Sequence, residues 1–284
     1  MKILLVGCGD VATEAGLRWL ADGHQVTAWR RTPEKLPTGF HGERVDLTAA
    51  AEYPRIDEAT DIVVLTPVPA ARNAEGYRRS YLQVAQRLIA QLNSQAPRLR
   101  RLLYVSSSAV LGGTDGAWVN ESTELAPSRE TSQVLAETEE LLRTSGLPVS
   151  ILRASGIYGP GRTRLLDLVQ GGTAVLPTGS HWTNRIHRDD LASALTHVAA
   201  LDAPQDLYMV NDDEPAQLAQ VYTFLAAELG VPLPPEQNAE PTARRGGDRR
   251  ISNARLRASG WQPAFPSYRE GYRAMLAGQG VRHP

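Results

Sequence analysis

Residues 2–31 read KILLVGCGDVATEAGLRWLADGHQVTAWRR, and this stretch decides the fold. Ile3 to Val6 is a short apolar run, GCGDVA at 7–12 is a glycine turn, and Ala15, Leu17, Trp19 and Leu20 recur at helical spacing. A second apolar run, Gln25 to Trp29, follows. Strand, glycine turn, helix and strand make the unit that holds a dinucleotide. Gly7 permits the tight turn, Gly9 lets pyrophosphate approach the backbone, and small Ala12 lets helix and strand pack closely. Cys8, Asp10 and Val11 complete the turn, and the helix N-terminus offers N–H donors and a positive dipole end to the phosphates.

The end of the second strand bears on which dinucleotide. A ribose 2′-hydroxyl is usually met there by Asp or Glu, whereas a 2′-phosphate calls for arginine. Here the chain reads Trp29-Arg30-Arg31-Thr32, with no acid. Two guanidiniums fork onto a phosphate that a carboxylate would repel, so NADP is expected, with NAD the poorer ligand.

Working outward, Gly42 to Leu47 reads as a third strand whose Asp46 is placed to accept from an adenine amino group, beside Leu47. DIVVLT at 61–66 is a buried parallel strand stopped by Pro67, which sets Thr66 and Pro67 at the edge of the nucleotide site. A helix is expected from about Glu75 to Leu92, with Tyr81, Val84, Leu88 and Leu92 on one face. RLLYVS at 101–106, a helix over 128–143 and a strand over 149–153 continue the alternation. The implied architecture is α/β: a Rossmann-type, doubly wound parallel sheet with a smaller C-terminal substrate lobe. Residues 1–153 form the NADP-binding domain, segments around 185–210 return to it, and 154–284 are mainly the smaller lobe.

Composition sets limits. A chain of 284 residues buries a sizeable core without staples, and its single cysteine leaves no intrachain disulfide and no thiolate cluster. A formal charge of −1 argues against an extended nucleic-acid or membrane surface. The six histidines show no metal-ligand spacing, so no metal is expected. The first apolar run breaks at Gly7, too soon for a signal peptide or membrane span, which makes the cytoplasm the expected compartment. Lys2 and Lys35 are the only lysines.

Together with GCGDVA, the segments YVSSSAVLGG (104–113), ILRASGIYGPGR (151–162), NRIHRDDLASAL (184–195) and SNARLRASGWQP (252–263) resemble the extended short-chain dehydrogenases/reductases, the NAD-dependent epimerase/dehydratase-like group. The resemblance implies that Ser107 hydrogen-bonds a substrate oxygen, with Ser106 and Ser108 close by. It also implies a Tyr, and a Lys four residues later, near the start of the helix after Pro127. Thr131 and Leu135 stand at those positions, and no lysine follows Lys35. Thr131 and the neighbouring Glu130, which alone titrates in a useful range, are the remaining candidates there. Tyr158, Arg162, Asn184 and Arg185, with Trp182 near the same mouth, are expected around a small polar or anionic second ligand of nucleotide-sugar type. Arg244, Arg245, Arg249 and Arg250 read as a surface loop whose alternative role is to clamp a pyrophosphate. The helices at 75–92 and 128–142 resemble the pair through which family members dimerise. Two functions stay open at this level: an atypical NADP-dependent oxidoreductase, and a non-catalytic NADP-binding redox sensor or regulator that has lost the Tyr-Lys pair.

Overall fold

The computed structural model describes residues 1–237 and 248–284. The opening run forms β1 (Lys2–Val6), the turn leads into α1 (Asp10–Ala21), and the second run forms β2 (Gln25–Arg30). The central sheet is completed by β3 (His41–Arg44), β4 (Ile62–Leu65), β5 (Arg101–Ser107), β6 (Val149–Ala154) and β7 (Leu207–Val210). Its order is β7-β6-β5-β4-β1-β2-β3, and every neighbouring pair is parallel. The order reverses beside β1, so a crevice opens outside the carboxyl ends of β1 and β4, where open parallel sheets take ligands.

Alternation along each strand supplies two cores. Ile3, Leu5, Val26, Ala28, Val64 and Leu103 face one side, covered by Ala15 and Trp19 of α1 and by Leu191, Leu195 and Val198 of α5 (Arg188–Ala200). Leu4, Val6, Trp29, Val63, Leu65 and Tyr104 face the other, covered by Val84, Leu88 and Leu92 of α2 (Gln83–Gln95) and Leu142 of α3 (Glu130–Arg143). Trp19 and Trp29 are both essentially inaccessible, and each such side chain contributes about 1.5–3 kcal/mol through burial.

A third cluster lies in the C-terminal half, where Leu166 and Val169 of α4 (Arg164–Gln170) meet Leu225 of α6 (Leu218–Leu229) and Tyr268 and Tyr272 of α7 (Tyr268–Leu276). This is the smaller lobe. α5 packs on the first core, and β7 is the edge strand of the central sheet.

The expected helix over 75–92 is interrupted. Ala74–Tyr77 is α-helical, Arg78–Leu82 is a π-turn, and α2 resumes at Gln83. Likewise the third strand ends at Arg44, so Val45, Asp46 and Leu47 lie beyond it in the loop.

Candidate functional site

Gly7 has φ +83°, and a Cβ there would lie 3.0 Å from the Thr66 carbonyl oxygen, so both its conformation and its surroundings require glycine. Gly9 differs. It caps α1 with no side-chain hydrogen bond, and an added Cβ would meet nothing nearer than the Gly7 carbonyl oxygen at 4.0 Å. Its small size serves something outside the protein's own packing. The N–H groups of Gly7 and Cys8 are already spent on the Trp29 carbonyl oxygen, at 3.2 and 3.0 Å. The donors left over are the first three N–H groups of α1, from Asp10, Val11 and Ala12, which line the crevice. An anion at the turn is therefore met by the helix end rather than by the glycine loop.

The crevice has two connected parts that share Gly9 and the Pro67-Val68-Pro69 rim. The outer part, about 350 Å³, runs over Arg30, Arg31, Thr32, Asp46 and Leu47. Arg30 gives Nη2 to Thr32 Oγ1 at 3.1 Å, while its buried Nη1 has no partner among the described residues. Arg31 is exposed beside it. Asp46 accepts from Thr48 N and Oγ1 at 2.9 and 2.7 Å, which holds its carboxyl below the usual range. The inner part, about 360 Å³, runs from Asp10, Val11 and Ala12 past Thr66 to Ser106, Ser107 and Ser155. Ser155 Oγ is buried and likewise has no partner among the described residues. An elongated cleft with free helix donors at its waist and unmatched polar atoms in both halves is shaped for a two-part ligand bridged by phosphate.

The family model described as NAD(P)H-binding matches residues 7–202. The chain belongs to that family. Relatives include the protein YeeZ of Escherichia coli K12, 30% identical over 249 residues that cover 84% of this chain and 87% of that one. A 3-diazoavenalumate denitrifying reductase of a Streptomyces species is 32% identical over 208 residues, covering 66% of this chain and 64% of the other. Among solved structures, one from Methylobacillus flagellatus described as an NAD-dependent epimerase/dehydratase is 32% identical, covers 98% of each chain and superposes with TM-score 0.78. Its Rossmann-type α/β architecture is the one seen here. Gly7, Gly9, Arg30 and the three helix N–H groups fit an NAD(P) cofactor, whose nicotinamide supplies or accepts hydride.

Cys8 lines the outer part with a buried, protonated thiol. Its thiol is 2% exposed, lies 3.4 Å from Thr13 Oγ1, and is pushed by burial up to about 11. Asp10 leaves its N–H free, while its carboxylate is taken up by partners within the protein. Oδ1 accepts from Arg188 Nη1 at 2.6 Å and from His283 N at 3.1 Å, and Oδ2 accepts from Arg162 Nε at 3.0 Å.

At the inner end the three serines divide. Ser106 is buried and gives its hydroxyl to Glu139 Oε1 at 2.5 Å. Glu139 in turn holds Arg153, which donates Nε to both carboxylate oxygens at 3.1 Å and Nη2 to Oε2 at 2.7 Å. Ser108 is buried away from the cleft wall, and its carbonyl accepts from Arg249 Nη2 at 2.6 Å. Ser107 is left half-buried on the wall, its Oγ accepting from Ala109 N at 3.2 Å with the hydroxyl proton free to donate. Leu135 lines the wall opposite the serines, whereas Thr131 and the exposed Glu130 lie outside it. Tyr81, on the π-turn, reaches the same wall.

The four substrate-side residues separate as well. Arg162 borders both the inner cleft and an adjoining groove of about 500 Å³ that also includes Thr163, Arg164 and Thr173. Tyr158 departs from its expected place. It is 4% exposed beneath the lobe, edge-on to His187 and close to Tyr272, and burial raises its phenol well above the ordinary value. Asn184 is likewise structural, donating to the Arg249 carbonyl at 2.9 Å and accepting from Ile251 N at 2.8 Å. Arg185 is buried over the Tyr268 ring and gives Nη2 to Thr183 Oγ1 at 2.8 Å. Strand residues 185–187 are all buried, so no alternation distinguished inward from outward.

Two arginines expected on a surface loop are packed. Arg249 donates to the carbonyls of Ser108, Leu111 and Gly112, and Arg250 lies over both Trp118 and Trp182. Arg244 and Arg245 lie outside the described residues. No helix among the described residues is long and apolar enough to cross a membrane, and none of their His, Cys, Asp and Glu side chains cluster as a metal site.

Proposed function

We propose that the protein is an atypical NADP-dependent oxidoreductase that acts on a small polar or anionic substrate. The observation that carries this reading is Arg30, whose partnerless Nη1 stands at the carboxyl end of β2 with Arg31 beside it. A 2′-phosphate there gains charge-assisted hydrogen bonds worth about 1.5–3 kcal/mol each. The pyrophosphate rests on the N–H groups of Asp10, Val11 and Ala12, and the nicotinamide end reaches toward Ser107 and Ser155. Ser107 orients a substrate oxygen, and Arg162 and Arg164 hold an anionic group in the groove. The reductase name of the Streptomyces relative supports reduction as the reaction type.

Dinucleotide titration by tryptophan fluorescence tests this, with Trp29 directly beside the outer cleft. NADP is expected to bind at least ten-fold more tightly than NAD, and Arg30→Ala to remove about 10- to 100-fold of NADP affinity. Equal affinity for the two, or an Arg30→Ala protein that binds NADP normally, would refute the 2′-phosphate argument.

A second reading, an NADP-binding redox sensor, is favoured by one observation: apolar Leu135 lies on the wall where the family's lysine would stand. Strong discrimination between NADP and NADPH, with no hydride transfer across a panel of aldehydes, ketones and quinones, would support it over the oxidoreductase.

A further inference from the structure

The inner cleft lacks the tyrosine of its family on α3, yet a tyrosine on the π-turn packed beside α3 lines it. Tyr81 belongs to the π-turn Arg78–Leu82, in which one extra residue re-aims the side chains that follow. The turn is pinned on three sides. Ser80 Oγ accepts from Ala70 N at 3.1 Å, tying it to the cleft rim. Arg78 meets Glu137 of α3 at 3.0 Å. Tyr77 stacks on the Tyr81 ring, with centroids 5.1 Å apart and planes at 30°. Tyr81 also packs against the apolar cluster that includes Leu135.

We propose that Tyr81 is the proton donor of this site, replacing from α2's side the phenol that α3 lacks. The proposal rests on reading the cleft as a dinucleotide site. Of the side chains lining the inner part, Asp10 and Arg162 are ion-paired to each other, Ser106 gives its hydroxyl to Glu139 and Ser107 is assigned to the substrate oxygen, which leaves Tyr81 as the phenol on that wall. Burial raises the Tyr81 phenol above its ordinary value, so it stays protonated and gives up its proton only to the strongly basic oxygen that develops during reduction. In carbonyl reduction the substrate carbon accepts a hydride from a reduced dihydronicotinamide and the C=O π pair moves to oxygen. That oxygen takes the Tyr81 proton, and the phenolate regains a proton from solvent water. Ser107 hydrogen-bonds the same oxygen from the serine side of the cleft.

The test labels the nine tyrosines with 3-fluorotyrosine and assigns Tyr81 as the 19F resonance missing from Tyr81→Phe. That resonance is expected to move between the NADP and NADPH complexes, because only the oxidised nicotinamide carries a positive charge. Tryptophan quenching monitors saturation independently. A Tyr81 resonance that ignores both ligands at saturation overturns the proposal while leaving the cofactor reading intact, whereas absence of quenching overturns both. In NADPH-dependent reduction of 9,10-phenanthrenequinone, Tyr81→Phe is expected to lose about 100-fold or more in turnover with dinucleotide affinity unchanged. Equal turnover by the two proteins would overturn the donor role.

Discussion

Replacing Glu139 by leucine is expected to cost far more stability than replacing Glu139 and Arg153 together. The two side chains are 5% and 6% exposed, and Glu139 receives three close donors from Arg153 and Ser106 between 2.5 and 3.1 Å. Arg153 already carries one buried nitrogen, Nη1, without a partner among the described residues. Glu139→Leu alone therefore strands a guanidinium inside the sheet-helix interface, and breaking a buried pair in this way costs about 3–5 kcal/mol. Ser106→Ala removes one hydrogen bond to a charged acceptor, about 1.5–3 kcal/mol. Glu139→Leu with Arg153→Met removes both charges along with their desolvation penalty, and outcomes from neutral to about 1–4 kcal/mol stabilising are typical of such replacements.

Urea denaturation of wild type, both single variants and the double variant measures the coupling directly. A double variant as unstable as the sum of its singles would refute the reasoning, because the pair would then not act as a unit. The network also has a functional position. It ties the carboxyl end of β5 to β6 and α3, directly behind Ser107, so the unstable single variant is expected to weaken dinucleotide binding as well.

The two glycines of the turn should part company. Gly7→Ala, strained at φ +83° and pressed on the Thr66 carbonyl, is expected to lower stability by about 1–3 kcal/mol, whereas Gly9→Val should leave the urea midpoint nearly unchanged and abolish dinucleotide quenching. Loss of stability in Gly9→Val equal to that in Gly7→Ala would contradict the assignment of open space at Gly9. Acid sensitivity offers another check. Burial holds His187 down to about 4, where its Nδ1 accepts from Asp189 N to cap α5. A depressed histidine contributes stability that is present above its unfolded value near 6.5 and is lost as pH falls toward 4. Asparagine still caps but does not titrate, so the stability gap between wild type and His187→Asn should narrow from pH 7 to pH 4.5, and a constant gap would sink the idea.

Elements whose partners are close in sequence were the legible ones. β1, the glycine turn, α1 and β2 follow from apolar periodicity and turn chemistry within one short stretch. The π-turn was not legible, because Tyr81, Val84, Leu88 and Leu92 keep helical spacing across it and nothing local marks the extra residue. Glu139 and Arg153 each left a trace, a charge on an otherwise apolar strand and another on a buried helix face, but only the fold shows that they meet. Tyr158, Asn184 and Arg185 were placed in the ligand pocket through segments that do lie near it. Their side chains point into the lobe's own packing, a distinction that resemblance between segments cannot make.

Asp10 explains how an acid sits at a helix end built for phosphate. A carboxylate in the first turn would compete with an anion for the same positive end. Here Arg188, itself 1% exposed and shared with Asp189 and Glu14, and Arg162 both bind it, so the carboxylate is held by partners of its own. Arg188 opens α5, and Arg162 borders the groove of the smaller lobe. One carboxylate thus ties the N-terminal end of α1 to the segment that borders the groove. Freeing Arg162 by Asp10→Asn leaves a guanidinium between the two compartments with a weaker anchor. On the function proposed above, affinity for the phosphate is therefore expected to depend on the same carboxylate that positions Arg162 at the groove.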